Sequence, residues 1–346
     1  MNSTTVLLVG HGSREKSGND EIEQFAAQWR ARQPLWRIDI CFIEFSVLTL
    51  DVGMANAARG AQRVIVVPLI LNAAGHVKME IPDHIAHARD DFPGVRFDYA
   101  PHLTACDPIL AILKRRLRDA MLKLDMPDPT STGVVVLGRG ASDRQANGEM
   151  AKMARWLMEE TDHELVDLAF TGITWPRLEK AVQRQVLLGM TNIVVLRYYL
   201  FSGTLVERIS RQVEHLRAQY PTVRFALSQH FGFETEIFEL LETRVRDLVN
   251  DVPSAAMPCD GCKFREIAQE AGHGHSHAHT VPTLAGIPVT LEAHAAHEHG
   301  HEHAHEHGHA HAHPHAAPEH GHAHPHAAHA HPHAEHEHPH GHAHDH

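Results

Sequence analysis

Short apolar runs and longer mixed stretches take turns along the first 125 residues. Runs of strand length at 5–9, 38–43, 63–71 and 95–100 each precede a helix-compatible stretch, at about 17–32, 48–59, 82–91 and 107–124. Pro82, in KMEIPDHIAHA, fits the first turn of the third helix, with Asp83 helping at the positive end of its dipole. Strand–helix alternation of this kind predicts a parallel sheet covered on both faces.

The pattern then repeats at a constant spacing of 128 residues, with no gap needed. FPGVRFDYAPH (92–102) aligns with YPTVRFALSQH (220–230), VVPLILNAAG (66–75) with VVLRYYLFSG (194–203), and Gly10 and Gly12 with Gly138 and Gly140. The expected fold class is α/β: two tandem doubly wound, flavodoxin-like parallel-sheet domains. They span 1–125 and 133–252, with MPDPTST (126–132) as linker. The period is far longer than that of a solenoid repeat.

Composition changes the picture beyond residue 252. A segment at 253–272 carries a CxxC, and 273–346 is a tail of His mixed with Ala, Glu, Gly and Pro. Of 36 histidines, 8 precede residue 273 and 28 follow from there. Such a tail has too few apolar residues to offset ordering entropy, so disorder is expected unless metal orders it. Its dense HxH spacing suits multiple weak sites for divalent ions, hence storage, capture or buffering. Eight acids and no Lys or Arg lie after residue 272, leaving −4 of the net charge of −12 to the rest of the chain. No basic patch argues for nucleic acid. The N-terminus MNSTTVLLVG lacks a basic region and a signal-length apolar run, and stretches such as VIVVPLIL are far short of a membrane span. Four cysteines in 346 residues suggest a reducing compartment, and the expected location is the cytoplasm.

The two halves also compare chemistry with scaffold. Glycines and core positions survive in both, whereas His11 becomes Arg139, Glu44 becomes Gly172 and His76 becomes Thr204. Groups needed by the fold would be kept in both copies, so the loss points to one active site, mainly on the first domain. In a 2-1-3-4 sheet the strand order reverses between strands 1 and 3, where ligands bind. His11 follows strand 1, His76 follows strand 3 and Glu44 ends strand 2, so all three overhang one crevice. Gly10, Gly12 and Gly75 would let the chain turn sharply and a flat ligand approach.

Two neutral imidazoles and a carboxylate suit Co²⁺, Ni²⁺, Fe²⁺ or Zn²⁺, and would accept protons near neutral pH. The plain alternative is that each His caps a strand-end loop. Arg14 and Lys78 are natural partners for an anionic substrate, with Ser13 and backbone N–H groups after Gly12 beside them, and Glu80 lies close to His76. His102 and His230 occupy equivalent places in both halves, which favours a structural role such as bonding a loop carbonyl. His84 and His87 fall on the third helix, on a solvated face. Cys41 and Cys106 read as small core residues. Cys259 and Cys262 have thiolate metal-site spacing but supply only two of four ligands; a dimer, Cys41 and Cys106, or exogenous ligands would complete the set, and free thiols are the alternative.

VGHGSRE, CFIEFS and LILNAAGHVKMEIP together resemble the class II tetrapyrrole chelatases, specifically the long, duplicated sirohydrochlorin cobaltochelatases of the CbiX type. The resemblance covers residues 5 to about 250. It implies a chelatase-like fold with the macrocycle between two lobes and no nucleotide cofactor. It further implies insertion of Co²⁺ into sirohydrochlorin in the anaerobic cobalamin pathway, with His11 and His76 binding the metal and accepting pyrrole protons and Glu44 assisting. Gly12, Ser13, Arg14, Gly75 and Lys78 would bind the substrate. Met257, Cys259 and Cys262 resemble the family's M-x-C-x-x-C motif, which implies a [4Fe–4S] cluster, shared in a homodimer if each chain gives only two ligands. The alternatives are a ferrochelatase or nickelochelatase, or a non-catalytic cobalt or nickel store. A histidine phosphatase using His11 fits poorly, because Gly10 rather than an arginine precedes it.

Overall fold

In the computed structural model of the protein, residues 3–252 are described; the CxxC segment and the His-rich tail lie outside them. The first repeat runs β1 (Thr4–Gly10), α1 (Lys16–Arg32), β2 (Arg37–Phe42), α2 (Leu50–Ala58) and β3 (Arg63–Pro68). A π-helical turn (His76–Glu80) then leads into α3 (Ile81–Asp91), followed by β4 (Arg96–Tyr99) and α4 (Asp107–Leu122). The second runs β5 (Thr132–Gly138), α5 (Arg144–Glu159), β6 (Val166–Phe170), α6 (Leu178–Leu187), β7 (Asn192–Arg197), α7 (Thr204–Gln219), β8 (Arg224–Leu227) and α8 (Thr235–Val249). Each repeat forms one parallel sheet, ordered β2-β1-β3-β4 and β6-β5-β7-β8, so strand order reverses between β1 and β3 as the sequence implied. No helix among the described residues is long and apolar enough to cross a membrane.

Side chains alternate across each sheet, and both sides are apolar. Val6, Leu8, Ile65 and Val67 face one core; Leu7, Val9, Val64 and Val66 face another under α2 and α3. In the second sheet Val134, Val136, Val194 and Leu196 turn toward the same first core, and Val135, Leu137, Ile193 and Val195 toward one under α6 and α7. The two sheets therefore share a central core, filled by α1, α4, α5 and α8. The last helix of each repeat is exchanged: α4 packs on β7 and β8, and α8 packs on β3. Arg115 of α4 pairs with Glu234 and Glu236, and Arg244 of α8 donates to the carbonyls of Pro101 and Leu103. Each lobe's sheet is completed by the other's helix.

The duplication is not gapless. Leu69 N–H donates to Val9 O, and Tyr198 N–H donates to Leu137 O, so Leu69 corresponds to Tyr198, 129 residues on. The strand register agrees, pairing Val9 with Pro68 but Leu137 with Arg197. The second copy has gained one residue between α6 and β7. The first copy recovers it in the π turn, where Ile81 N–H reaches back five residues to His76 O while α7 stays a regular α-helix. Pro82 has no N–H, so the ladder loses a bond there at any pitch, which lowers the cost of the wider turn. His76 thus superposes on Leu205 rather than Thr204, and the helix starts one turn before Pro82.

Candidate functional site

His11 leaves the carboxyl end of β1, and its loop is fastened to the end of β2. Gly10 O accepts from Ile43 N–H and His11 O from Glu44 N–H, continuing the parallel pairing past Phe42. Between them Gly12 has φ +90°, and a Cβ there would lie 1.8 Å from Glu44 O, so only glycine permits this approach. Glu44 is thereby set beside His11, Oε1 to Nδ1 at 3.3 Å. The π turn beyond β3 brings His76 edge-on to His11, ring centroids 4.8 Å apart at 80°. One donor atom from each of His11, Glu44 and His76 falls within 4.8 Å of the others, and among the described residues no other trio of potential metal ligands does so.

Hydrogen bonds select the tautomers. His76 Nδ1 lies 2.5 Å from Glu80 Oε2, so Nδ1–H donates to the carboxylate and Nε2 keeps its lone pair. At His11, Arg139 Nη1 donates to Nε2 at 3.1 Å, while Nδ1 faces Gly12 O at 3.1 Å and Glu44. Burial is the main cause that holds the His11 imidazole below its ordinary pKa of 6.5; the Gly12 carbonyl and Glu44 oppose this, and His76 and Arg139 reinforce it. The His11 ring is therefore a neutral base near pH 7.

His11, His76, Glu80 and Arg139 stand on the wall of a cleft of about 740 Å³ between the lobes, in the size range of small-molecule sites. Leu69, Leu71, Met79, Met150, Ile173 and Tyr198 make it mostly apolar. On the pseudo-equivalent side the lobes close: a Cβ on Gly18 would lie 3.1 Å from Ser202 O, and Thr204 Oγ1 donates to Glu15. The cleft that stays open borders the first repeat's His11 and His76.

Other expected site residues have different duties. Lys78 is buried and pairs with Asp143 of the second repeat, with Gln145 Oε1 at 2.7 Å, so its charge is spent between the lobes rather than on a substrate carboxylate. Ser13 N–H donates to Asn19 Oδ1, which removes it from an anion site, and Arg14 is exposed with its guanidinium 5.0 Å over the Phe45 ring, off the cleft wall. Gly75 does line the cleft, but its backbone is helical; what it contributes is open space, with nothing within 4 Å of a Cβ there. Gly10 makes room for Ile22 and Phe42. His102 bonds no carbonyl: it is 2 % exposed with neither ring nitrogen partnered, and His230 has only Glu21, at 3.7 Å. His84 pairs with Asp51, while His87 is exposed. Cys41 is sealed in the core, its thiol pushed up to about 12 by burial, and so is not placed to complete a cluster. Cys259 and Cys262 lie outside the described residues. Sequence reasoning missed Arg139, which it treated as a loss; its place just after strand 5, at the crevice as His11 is just after strand 1, was the available signal.

The family model described as CbiX matches the chain twice, over residues 5–120 and 133–248. The chain is 36% identical over 264 residues to the sirohydrochlorin cobaltochelatase of Priestia megaterium, an alignment covering 75% of this chain and 84% of that one. It is 29% identical to the sirohydrochlorin ferrochelatase of Bacillus subtilis, over 70% of this chain and 90% of that protein. Among solved structures, SirB from Bacillus subtilis with Fe³⁺ superposes with a TM-score of 0.62 at 28% identity, covering 71% of this chain and 95% of that one. SirB from Bacillus subtilis subspecies spizizenii in complex with cobalt gives 0.59 at 27%, covering 72% and 97%.

Proposed function

The chain belongs to the CbiX family, and from that premise we propose that it is a sirohydrochlorin chelatase, with Co²⁺ as the ion it inserts. The observation that carries this is the meeting of His11, Glu44 and His76 where the two imidazoles line a mostly apolar cleft. Co²⁺ in place of Fe²⁺ rests on the cobaltochelatase relative being more similar than the ferrochelatase one. The donor set itself does not choose, because two imidazoles and a carboxylate suit several first-row ions.

Insertion exchanges two pyrrole protons for one divalent ion, with no electron transfer. A flat conjugated ring is suited to the apolar walls. His11 and His76 present their Nε2 lone pairs to the incoming ion and accept protons from the pyrrole nitrogens once the ion has passed to the ring. Glu80 steadies the His76 ring, and Glu44 beside His11 Nδ1 stabilises the imidazolium when it forms. Imidazole ligation without thiolate keeps the ion exchangeable, which a delivery site requires. The His-rich tail, by composition, would hold further divalent ions, and the protein would work in the cytoplasm. Cys259 and Cys262 remain candidates for an iron–sulfur centre, and no step here depends on one.

The test is anaerobic incubation of the protein with sirohydrochlorin and Co²⁺, Fe²⁺ or Ni²⁺, following the ring's visible spectrum. Acceleration with Co²⁺ above the other ions supports the full reading. Faster Fe²⁺ or Ni²⁺ insertion would keep the chelatase and change its metal. No rate above the protein-free control with any ion would refute it.

A further inference from the structure

Arg139 sits on the lone pair that a metal at His11 would need. A guanidinium has only N–H donors and keeps its charge at any working pH, so the 3.1 Å contact between Arg139 Nη1 and His11 Nε2 is arginine donating to an unprotonated nitrogen. Nδ1 then carries the His11 proton and faces two acceptors, the Gly12 carbonyl and the Glu44 carboxylate. Nε2 is thus the one lone pair His11 can offer, and it is taken. A cation and Arg139 cannot share it.

Nothing in the second lobe accounts for an arginine there. Arg139 is exposed, its hydrogen bond crosses to the other lobe, and among the described residues no carboxylate is its ion-pair partner. It also lines the cleft, along with Gly140, Ala141 and Ser142 of its own loop. An exposed guanidinium on the wall of a site for a polycarboxylate meets a better acceptor than an imidazole as soon as that ligand enters, since bonds to carboxylate are charge-assisted and of bidentate shape. Its present bond, solvent-accessible and between one charged and one neutral group, is weak enough to exchange.

We propose that Arg139 is a substrate-operated gate on the metal site: it covers His11 Nε2 in the empty cleft and leaves it for a carboxylate of the macrocycle, opening the lone pair to the incoming ion. This rests on the chelatase reading. Binding is thereby ordered, ring before metal, and the idle enzyme does not sequester the ion it is meant to hand over. When the ion has passed to the ring and the product leaves, Arg139 returns to Nε2. The residue that replaced His11 in the second repeat has become its regulator, acting through His11 as a positioning residue.

The gate makes two constants move in opposite directions. With the full chain, and free Co²⁺ fixed by a metal buffer so that the tail cannot alter it, sirohydrochlorin metallation is measured for wild type, Arg139→Leu and Arg139→Lys. In Arg139→Leu, KM for the ring rises roughly tenfold with the lost carboxylate contact. KM for Co²⁺ falls about fivefold, the fold-change of one hydrogen bond worth ~1 kcal/mol. Preloading at a Co²⁺ concentration near the variant's half-saturation gives a larger burst of product in Arg139→Leu than in wild type, and Arg139→Lys recovers part of the ring affinity. Loss of folding would raise no constant selectively, and Arg139 is exposed, so both variants report on the gate. Unchanged constants, or two constants moving the same way, overturn the gate while the chelatase stands. A wild type that metallates sirohydrochlorin with no ion overturns the chelatase reading and the gate with it.

Discussion

Lys78 of the π turn and Asp143 at the start of α5 form a buried ion pair across the two repeats, their side chains 2% and 3% exposed. Breaking such a pair leaves an uncompensated charge in the interior, at about 3–5 kcal/mol. Lys78→Met is expected to lower stability by that order while leaving KM for a carboxylate-bearing ring near the wild-type value. Denaturant titration and steady-state kinetics on one preparation separate the two effects. A large rise in KM at unchanged stability would return Lys78 to the substrate-binding role that the sequence suggested.

The facing rings of His11 and His76 predict that each is needed and that neither substitutes for the other. His11→Ala and His76→Ala should each lower the metallation rate by roughly 10²–10⁴, the usual range for a proton-transfer group, and the double variant little further, because the two act as a unit. His230, off the cleft wall, should be replaceable by Ala at nearly full rate. Equal losses at all three positions would contradict the placement of the chemistry at the cleft wall that bears His11 and His76.

How far the sequence could be read follows from which interactions are local. Strand and helix positions, the reversal between β1 and β3, and the convergence of His11, Glu44 and His76 were legible, because hydrophobic period and parallel-sheet topology determine them. The exchange of α4 and α8 was not, since an amphipathic pattern says that a helix covers a sheet but not which of two similar sheets. Lys78 was misread because an unpartnered lysine is normally solvated, and Asp143 lies 65 positions away in sequence. The one-residue gain before β7 was hidden by its cancellation in the π turn: an alignment anchored at both ends needs no gap, and only hydrogen-bond register exposes the slip. That slip falls on His76, so the wider turn belongs to the site as much as to the helix.

The exchanged helices predict one unfolding unit. Phe25 of α1 and Phe238 of α8 stack with ring centroids 4.0 Å apart and planes 3° from parallel, inside the core common to both sheets. Phe25→Ala should cost about 3–5 kcal/mol. Because neither sheet keeps its cover without the other's helix, the loss should shift a single calorimetric transition of the α/β part. Two separate transitions, only one of them moved by Phe25→Ala, would show that the lobes fold independently.

His102 ties stability to acid. Burial is the main reason that its imidazole is pushed down to about 4 from 6.5; the charges of Arg244 and Lys78 add to this and Glu149 opposes it. In the unfolded chain His102 takes its proton near 6.5, and in the folded chain not until about 4. The folded state therefore binds fewer protons across that window. Its stability is full above 6.5 and falls as pH drops toward about 4, by up to ~1.4 kcal/mol per pH unit from this group. His102→Phe removes the titration, so its urea midpoint should decline less steeply than that of wild type between pH 6.5 and 4, with the two curves parallel above 6.5. Since the other histidines are present in both proteins, the difference between the curves isolates this one. Curves that stay parallel throughout the acid window would mean that His102 gains a partner for its proton in the folded state.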